Sequence, residues 1–230
     1  NFLEFIINNM IFKCVMIGAT GATGRNVLKQ LIRKDNCSSI ISIGRTEIDE
    51  SLLHNKVKHI VVKSLLDLKG TDEYWKNQNV FFNCIGTTKK KAGGADKFHE
   101  IEYGISSEAA RLASENNIPH ATLISASGAN HKVWARKWIH PLFYSKTMGE
   151  KEQTILSNHS FEYTSIFKPG MLIRHMDKNS IFDRMLQTTG IGLSVKILAE
   201  AMIKDAEYVL LKKRKSKNWF IEGNKSILQY

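Results

Sequence analysis

Apolar residues in this chain gather in short runs, and most runs are followed by a stretch with helical spacing. Residues 11–18, IFKCVMIG, are apolar and β-branched and close on a glycine, the pattern of a buried strand. Residues 25–34, RNVLKQLIRK, then place Val27, Leu28, Leu31 and Ile32 on one helical face. The same reading predicts strands within residues 39–45, 57–65, 79–88, 120–128 and 162–170, and a short last strand at 218–223. Helices are predicted at 98–117, 149–159 and 194–210.

The strand runs are apolar throughout. A strand with one face in water alternates, whereas one covered on both faces does not. Strands separated by helices pair in parallel, because only parallel neighbours need a helical crossover. The pattern therefore predicts an α/β fold, a doubly wound parallel sheet of the Rossmann type. The 230 residues, 43% of them hydrophobic, suit one domain over 1–230 with a small C-terminal extension on the substrate side. Residues 1–9, NFLEFIINN, precede Met10 and read as an extension before the first strand; they are far too few to span a membrane.

The first strand ends in GATGATGR, residues 18–25. Glycines at 18, 21 and 24 between a strand and a helix are the context of a dinucleotide-binding turn. Gly18 allows the tight turn, Gly21 lets backbone approach a diphosphate, and Gly24 lets the helix pack closely on the sheet. The diphosphate sits at the positive end of the helix. Binders of the unphosphorylated cofactor place an acidic residue about 20 residues on. Here the second strand ends in Arg45, with Glu47 displaced by two, and Arg25 offers a second cation. Cations there suit a 2′-phosphate and favour NADP(H) over NAD(H); the other reading makes Arg45 a surface arginine. Asp67 follows the third strand, placed to accept from an adenine amine or to cap a helix, and Gly86 and Thr87 end the fourth near the adenosine.

A net charge of +11 admits nucleic acid or an anionic surface as partner. No nucleic-acid-binding motif accompanies it, so nucleic acid is not the expected partner. The densest basic run, residues 212–217, has the form of a short nuclear-import signal, with a solvated loop as the plainer reading. Cys14, Cys37 and Cys84 are scattered, which fits reduced thiols, and neither they nor the eight histidines have metal-ligand spacing. These features place the protein in the cytoplasm, with the nucleus as a second location.

The segments GATGATGRNVL, ISIGR, FFNCIGTTKKKAGGADKFHEIEY, LISASGAN, FYSKTMGEKE and IFKPGMLI fall in the order of the atypical short-chain dehydrogenase/reductases. Over residues 10–225 the chain resembles most the Tat-interacting-protein-type oxidoreductases, with residues 86–98 the most specific stretch. The resemblance implies NADP(H) held at Gly18, Thr20, Gly21, Thr23, Gly24, Arg25 and Arg45, with Asp67, Gly86 and Thr87 along the adenosine. It implies an active-site serine at Ser125 (Ser127 less so), a catalytic tyrosine at Tyr144, and Pro169 and Gly170 beside the nicotinamide.

Two departures stand out. The family pattern Y-x-x-x-K-G-E is here Tyr144-Ser145-Lys146-Thr147-Met148-Gly149-Glu150, so a methionine replaces the lysine. That lysine lowers the tyrosine pKa from about 10 and holds the nicotinamide ribose, and a thioether does neither. Lys146 points about 200° away on a helix; Lys151 returns to the face about 10 Å further along. Tyr208 and Lys212, the one literal Y-x-x-x-K, fall in a late apolar-to-basic stretch and read as coincidence. The second departure is residues 131–142, a long stretch with two tryptophans that suits a lid or a partner surface. The expected function is an NADP(H)-dependent oxidoreductase on a small carbonyl or alcohol, slowed by Met148; the alternative is an NADP(H)-binding regulator that acts through partners.

Overall fold

A computed structural model describes residues 10–174 and 192–230. Nine strands form among the described residues: β1 Phe12–Ile17, β2 Cys37–Gly44, β3 Val57–Val61, β4 Val80–Asn83, β5 His120–Ile124, β6 Tyr163–Lys168, β7 Met171–Ile173, β8 Gly192–Ser194 and β9 Asn218–Glu222. The helices are α1 Ala22–Ile32, α2 Asp72–Trp75, α3 Lys89–Ala92, α4 Ala95–His99, α5 Ile105–Glu115, α6 His140–Leu156, α7 Val195–Leu210 and α8 Asn224–Leu228. A π-helical turn, Glu100–Gly104, joins α4 to α5.

Seven strands make one parallel sheet in the order β3-β2-β1-β4-β5-β6-β9. The order reverses between β1 and β4, and a doubly wound sheet binds its ligand outside the strand ends at such a point. β4 and β5 are buried along their whole length, including the polar Asn83, His120 and Thr122. α1 and α7 pack together on one face, over a core of Phe12, Met16, Leu28, Phe82 and Met202. α5 and α6 cover the other, over Ile17, Trp75, Phe81, Leu123 and Ile166. The three cysteines are free and buried.

Three local differences from the sequence reading have plain causes. The helix expected at 149–159 begins at His140, because Pro141 in its first turn starts a helix well, so Tyr144 lies inside it. β7 and β8, a separate two-stranded sheet, are too short to leave a periodicity. The basic run is not simply a solvated loop. Arg214 is only 9% exposed and donates to Asp205 at 3.2 Å and to the Thr164 carbonyl at 3.1 Å. It secures β6 to α7. The expected extension at residues 1–9 lies outside the described residues.

Candidate functional site

The carboxyl ends of β1, β2 and β4 open onto a cleft of about 230 Å³. Its floor is the turn from β1 into α1. Gly18 has φ +83°, and a Cβ there would stand 2.7 Å from the Cys84 backbone. The turn closes by a bond from Gly21 N to Gly18 O, 3.0 Å. A Cβ on Gly24 would stand 2.1 Å from Gly18 O, so α1 packs this close to β1 only with glycine there. The first turn of α1 carries no acidic residue and no side-chain cap. Its leading N–H groups lack helical partners, and the helix dipole draws an anion to them.

The walls supply cations and more open backbone. Gly44, Arg45 and Thr46 line one side, Gly86, Thr87 and Lys91 the other. A Cβ on Gly86 would meet nothing within 4 Å, so that wall leaves room for a ligand. His59 fixes the Arg45 turn, with Nε2 on the Thr46 carbonyl and Nδ1 on Ser42 Oγ, each 3.0 Å. Among the described residues no carboxylate pairs with Arg45. Cys84 also lines the cleft, but burial pushes its thiol up to about 12, so it is no nucleophile.

Gly18, Thr20, Gly21, Arg45, Gly86 and Thr87 thus meet in one cleft, with Thr23 and Gly24 buried beneath it. Four expected cofactor residues do not line it: Arg25, Asp67, Pro169 and Gly170. Arg25 pairs with Asp49 across the start of α1, and both side chains are about half exposed. Asp67 is exposed and its Oδ1 accepts from Lys69 N at 3.2 Å, a local turn bond. Lys91 also lines the cleft.

Tyr144 packs flat on Phe98, with ring centroids 5.5 Å apart. Phe98, Ala126 and Met148 form one buried apolar cluster, and Tyr144 lies against it. Burial first, and then the charge of Glu102, hold the Tyr144 hydroxyl above its usual pKa; Arg174 opposes them weakly. This is the reverse of what a lysine at 148 would do. Lys151 is fully buried but turned to β4. Its Nζ donates to Ile85 O at 2.7 Å and to Glu102 Oε2 at 2.9 Å. Glu102 Oε1 accepts from Thr87 N at 2.6 Å. The pair therefore braces the cleft wall from behind, and Glu102 stands on the π-helical turn, a bulge often found at functional sites. Lys146 is on the outer face, 4.0 Å from Glu150.

Ser125 follows β5 and is 4% exposed. Its Oγ donates to Glu152 Oε1 at 2.6 Å, and Lys168 Nζ lies 3.3 Å from the same oxygen. Pro169 sits beside this group, its carbonyl accepting from Ser127 N at 2.9 Å; Gly170 N donates to Asn224 at 3.0 Å. Sequence reasoning missed Glu102, Glu152, Lys168 and His59. Glu152 carried a faint signal, since it lies two residues past the Gly149-Glu150 pair in GEKE; the others meet their partners only through the fold.

A family described as NAD(P)H-binding matches residues 18–204. The chain belongs to that family. It is of the atypical short-chain dehydrogenase/reductase type, and its similarity to named members runs through most of its length. It is 31% identical over 180 residues to Protein FMP52, mitochondrial, of Candida albicans, covering 76% of this chain and 74% of the relative. It is 31% identical over 162 residues to Protein HTATIP2 of Rattus norvegicus, the Tat-interacting protein, covering 69% of this chain and 62% of that one. The UDP-glucose 4-epimerase of Brucella ovis, solved in complex with NAD, superposes with a TM-score of 0.68 over 95% of this chain and 81% of its own at 11% identity. That likeness speaks to fold alone. The FMP52 relatives of several yeasts are designated mitochondrial, and this overturns the expected cytoplasmic and nuclear location. No described helix is long and apolar enough to cross a membrane.

Proposed function

We propose that this protein is an NADP(H)-dependent oxidoreductase acting on a small carbonyl or alcohol, with proton transfer slowed by Met148. One observation carries the reading. An uncapped helix end without acidic residues, and two cations, Arg45 and Lys91, line the same glycine-floored cleft. The residues fit a phosphorylated dinucleotide. The turn from Gly18 to Gly24 takes its diphosphate, Arg45 and Lys91 its 2′-phosphate, Gly86 and Thr87 its adenosine side. Pro169 and Gly170, near Ser125, take the nicotinamide side. When bound, that group supplies or accepts the hydride.

Tyr144 and Ser125 then face the substrate oxygen, Tyr144 as proton donor and Ser125 as the orienting hydroxyl. A tyrosine held above its usual pKa still donates in a reduction, but it is a poor base for the reverse. That imbalance also favours a second reading, a cofactor-binding regulator with little turnover. Trp134 and Trp138, 68% and 73% exposed on the 131–142 stretch, would then be its partner surface. The designation of the yeast relatives leads us to propose a mitochondrial location.

The test is loss of NADPH absorbance with a panel of small aldehydes and ketones, for wild type, Tyr144→Phe and Met148→Lys. Turnover that falls at least about 10-fold in Tyr144→Phe, as expected for a lost proton donor, upholds the enzyme. Tight NADPH binding with no turnover in wild type, and turnover that appears only in Met148→Lys, upholds the regulator. Failure of all three proteins to bind NADPH contradicts both.

A further inference from the structure

Ser125 sits in a buried arrangement that the Tyr144 chemistry does not use. Its hydroxyl points at a carboxylate that reaches back from α6, about two turns beyond Tyr144's own position on that helix. Glu152 is 6% exposed, and its Oε1 takes both the Ser125 hydroxyl at 2.6 Å and the Lys168 ammonium at 3.3 Å. Lys168, 8% exposed, also donates to Ala129 O at 3.3 Å, so it is held by two acceptors at the end of β6. Beyond the pair stands Glu222 of β9, whose Oε1 accepts from Gly128 N at 3.2 Å and meets Ser127 Oγ at 3.5 Å. These groups connect the carboxyl ends of β5, β6 and β9 at one corner.

A serine in contact with a carboxylate has two arrangements. With the carboxylate ionised, the hydroxyl proton points into the protein and only lone pairs are left for a substrate. With the carboxyl protonated, Glu152 donates to Ser125 Oγ and the serine proton is released toward a substrate oxygen. We propose that Glu152 is a positioning residue and proton reservoir that works through Ser125, giving the reaction a second proton route beside Tyr144. This rests on the oxidoreductase reading and deepens it.

The step balances simply. In reduction, hydride adds to the carbonyl carbon, and the C=O π pair becomes an oxygen lone pair. Ser125 gives its Oγ proton to that oxygen, and the Glu152 carboxyl passes its own proton to Ser125 Oγ. Glu152 is left as the carboxylate, opposite the Lys168 ammonium, and regains a proton from solvent. Oxidation of an alcohol runs the same transfers backward.

The surroundings set the direction of titration. Burial is the largest influence and raises the Glu152 carboxyl above its usual range; the Ser125 bond and Lys168 oppose it, and Glu222 adds to the rise. On the π-helical turn packed against α6, Glu102 is already paired with Lys151. The protonated form therefore persists to a higher pH than for a carboxylate in water. Reduction through this route is expected to decline as pH rises through that titration.

The experiment uses the Tyr144→Phe chain, in which only the serine route remains. We expect a residual NADPH-dependent reduction whose rate falls with rising pH. Adding Glu152→Gln is expected to lower it at least about 10-fold and remove the pH dependence, and Glu152→Asp to restore both in part. A second readout needs no turnover. The Glu152 carboxyl carbon, followed by NMR in the wild-type chain, is expected to titrate above the ordinary carboxylate range, and higher still in Ser125→Ala. Titration within or below that range overturns the proposal, as does a residual rate and profile unchanged by Glu152→Gln, or no residual rate in Tyr144→Phe when wild type turns over. Absence of turnover in wild type removes the oxidoreductase reading and the relay together, which separates that failure from failure of the relay alone.

Discussion

At single residues the cleft is demanding. Gly24 tolerates no side chain, because a Cβ would stand 2.1 Å from Gly18 O within the turn. Gly24→Ala is therefore expected to push α1 off β1, weaken NADPH binding by at least about 10-fold, and lower the melting temperature; fluorescence titration and thermal unfolding check both. Arg45 is a question of selectivity. Arg45→Ala is expected to weaken NADPH about 10-fold or more while leaving NADH nearly unchanged, since one charge-assisted contact to a phosphate is lost. Met148 is an apolar residue in an apolar cluster, so Met148→Lys should raise turnover about 10²-fold at some cost in stability. The glycine turn was legible in the sequence because its shape is local to the backbone. Glu152 and Glu102 were not, because a carboxylate acquires its meaning from partners 27 and 49 residues away. Nothing in the sequence announced the Arg25–Asp49 pair either.

At the scale of elements, the π-helical turn and α6 are bolted together by Lys151 and Glu102. Both side chains are almost wholly buried. Removing one partner leaves an uncompensated charge beneath the cleft wall, so Lys151→Met is expected to cost about 3–5 kcal/mol in urea unfolding. Lys151→Met with Glu102→Gln should recover most of that, because a buried pair contributes little beyond its own desolvation. The central strands β1 and β4 were readable because burial on both faces leaves nearly continuous apolar runs. The start of α6 was not, since its first turns, from Pro141 to Ser145, are exposed or half-buried and carry no apolar stripe.

At the scale of the molecule, the end of the sheet remote from the cleft governs acid stability. His120 opens β5, is 1% exposed, and meets Ser165 Oγ at 2.8 Å; its Nδ1 has no hydrogen-bond partner among the described residues. Burial lowers its pKa to about 4, and Arg214 adds to this, although Asp205, 3.6 Å away, opposes it. The carboxylate is already matched by Arg214, so the imidazole stays neutral. In the unfolded chain it takes a proton near pH 6.5. The stability tied to its neutral form is whole above about pH 6.5 and is lost as pH falls toward about 4, by about 3 kcal/mol. His120→Gln should flatten that limb of a pH series of urea midpoints.

The claim on which the site depends is that the turn between β1 and α1 receives a phosphorylated dinucleotide. Calorimetric titration of the whole chain with NADPH, NADP, NADH and NAD tests it most directly. The account predicts saturable binding of all four at a single site, the phosphorylated pair at least about 10-fold tighter, and loss of that margin in Arg45→Ala. No heat of binding with any of the four, or equal affinities that Arg45→Ala leaves in place, would contradict it.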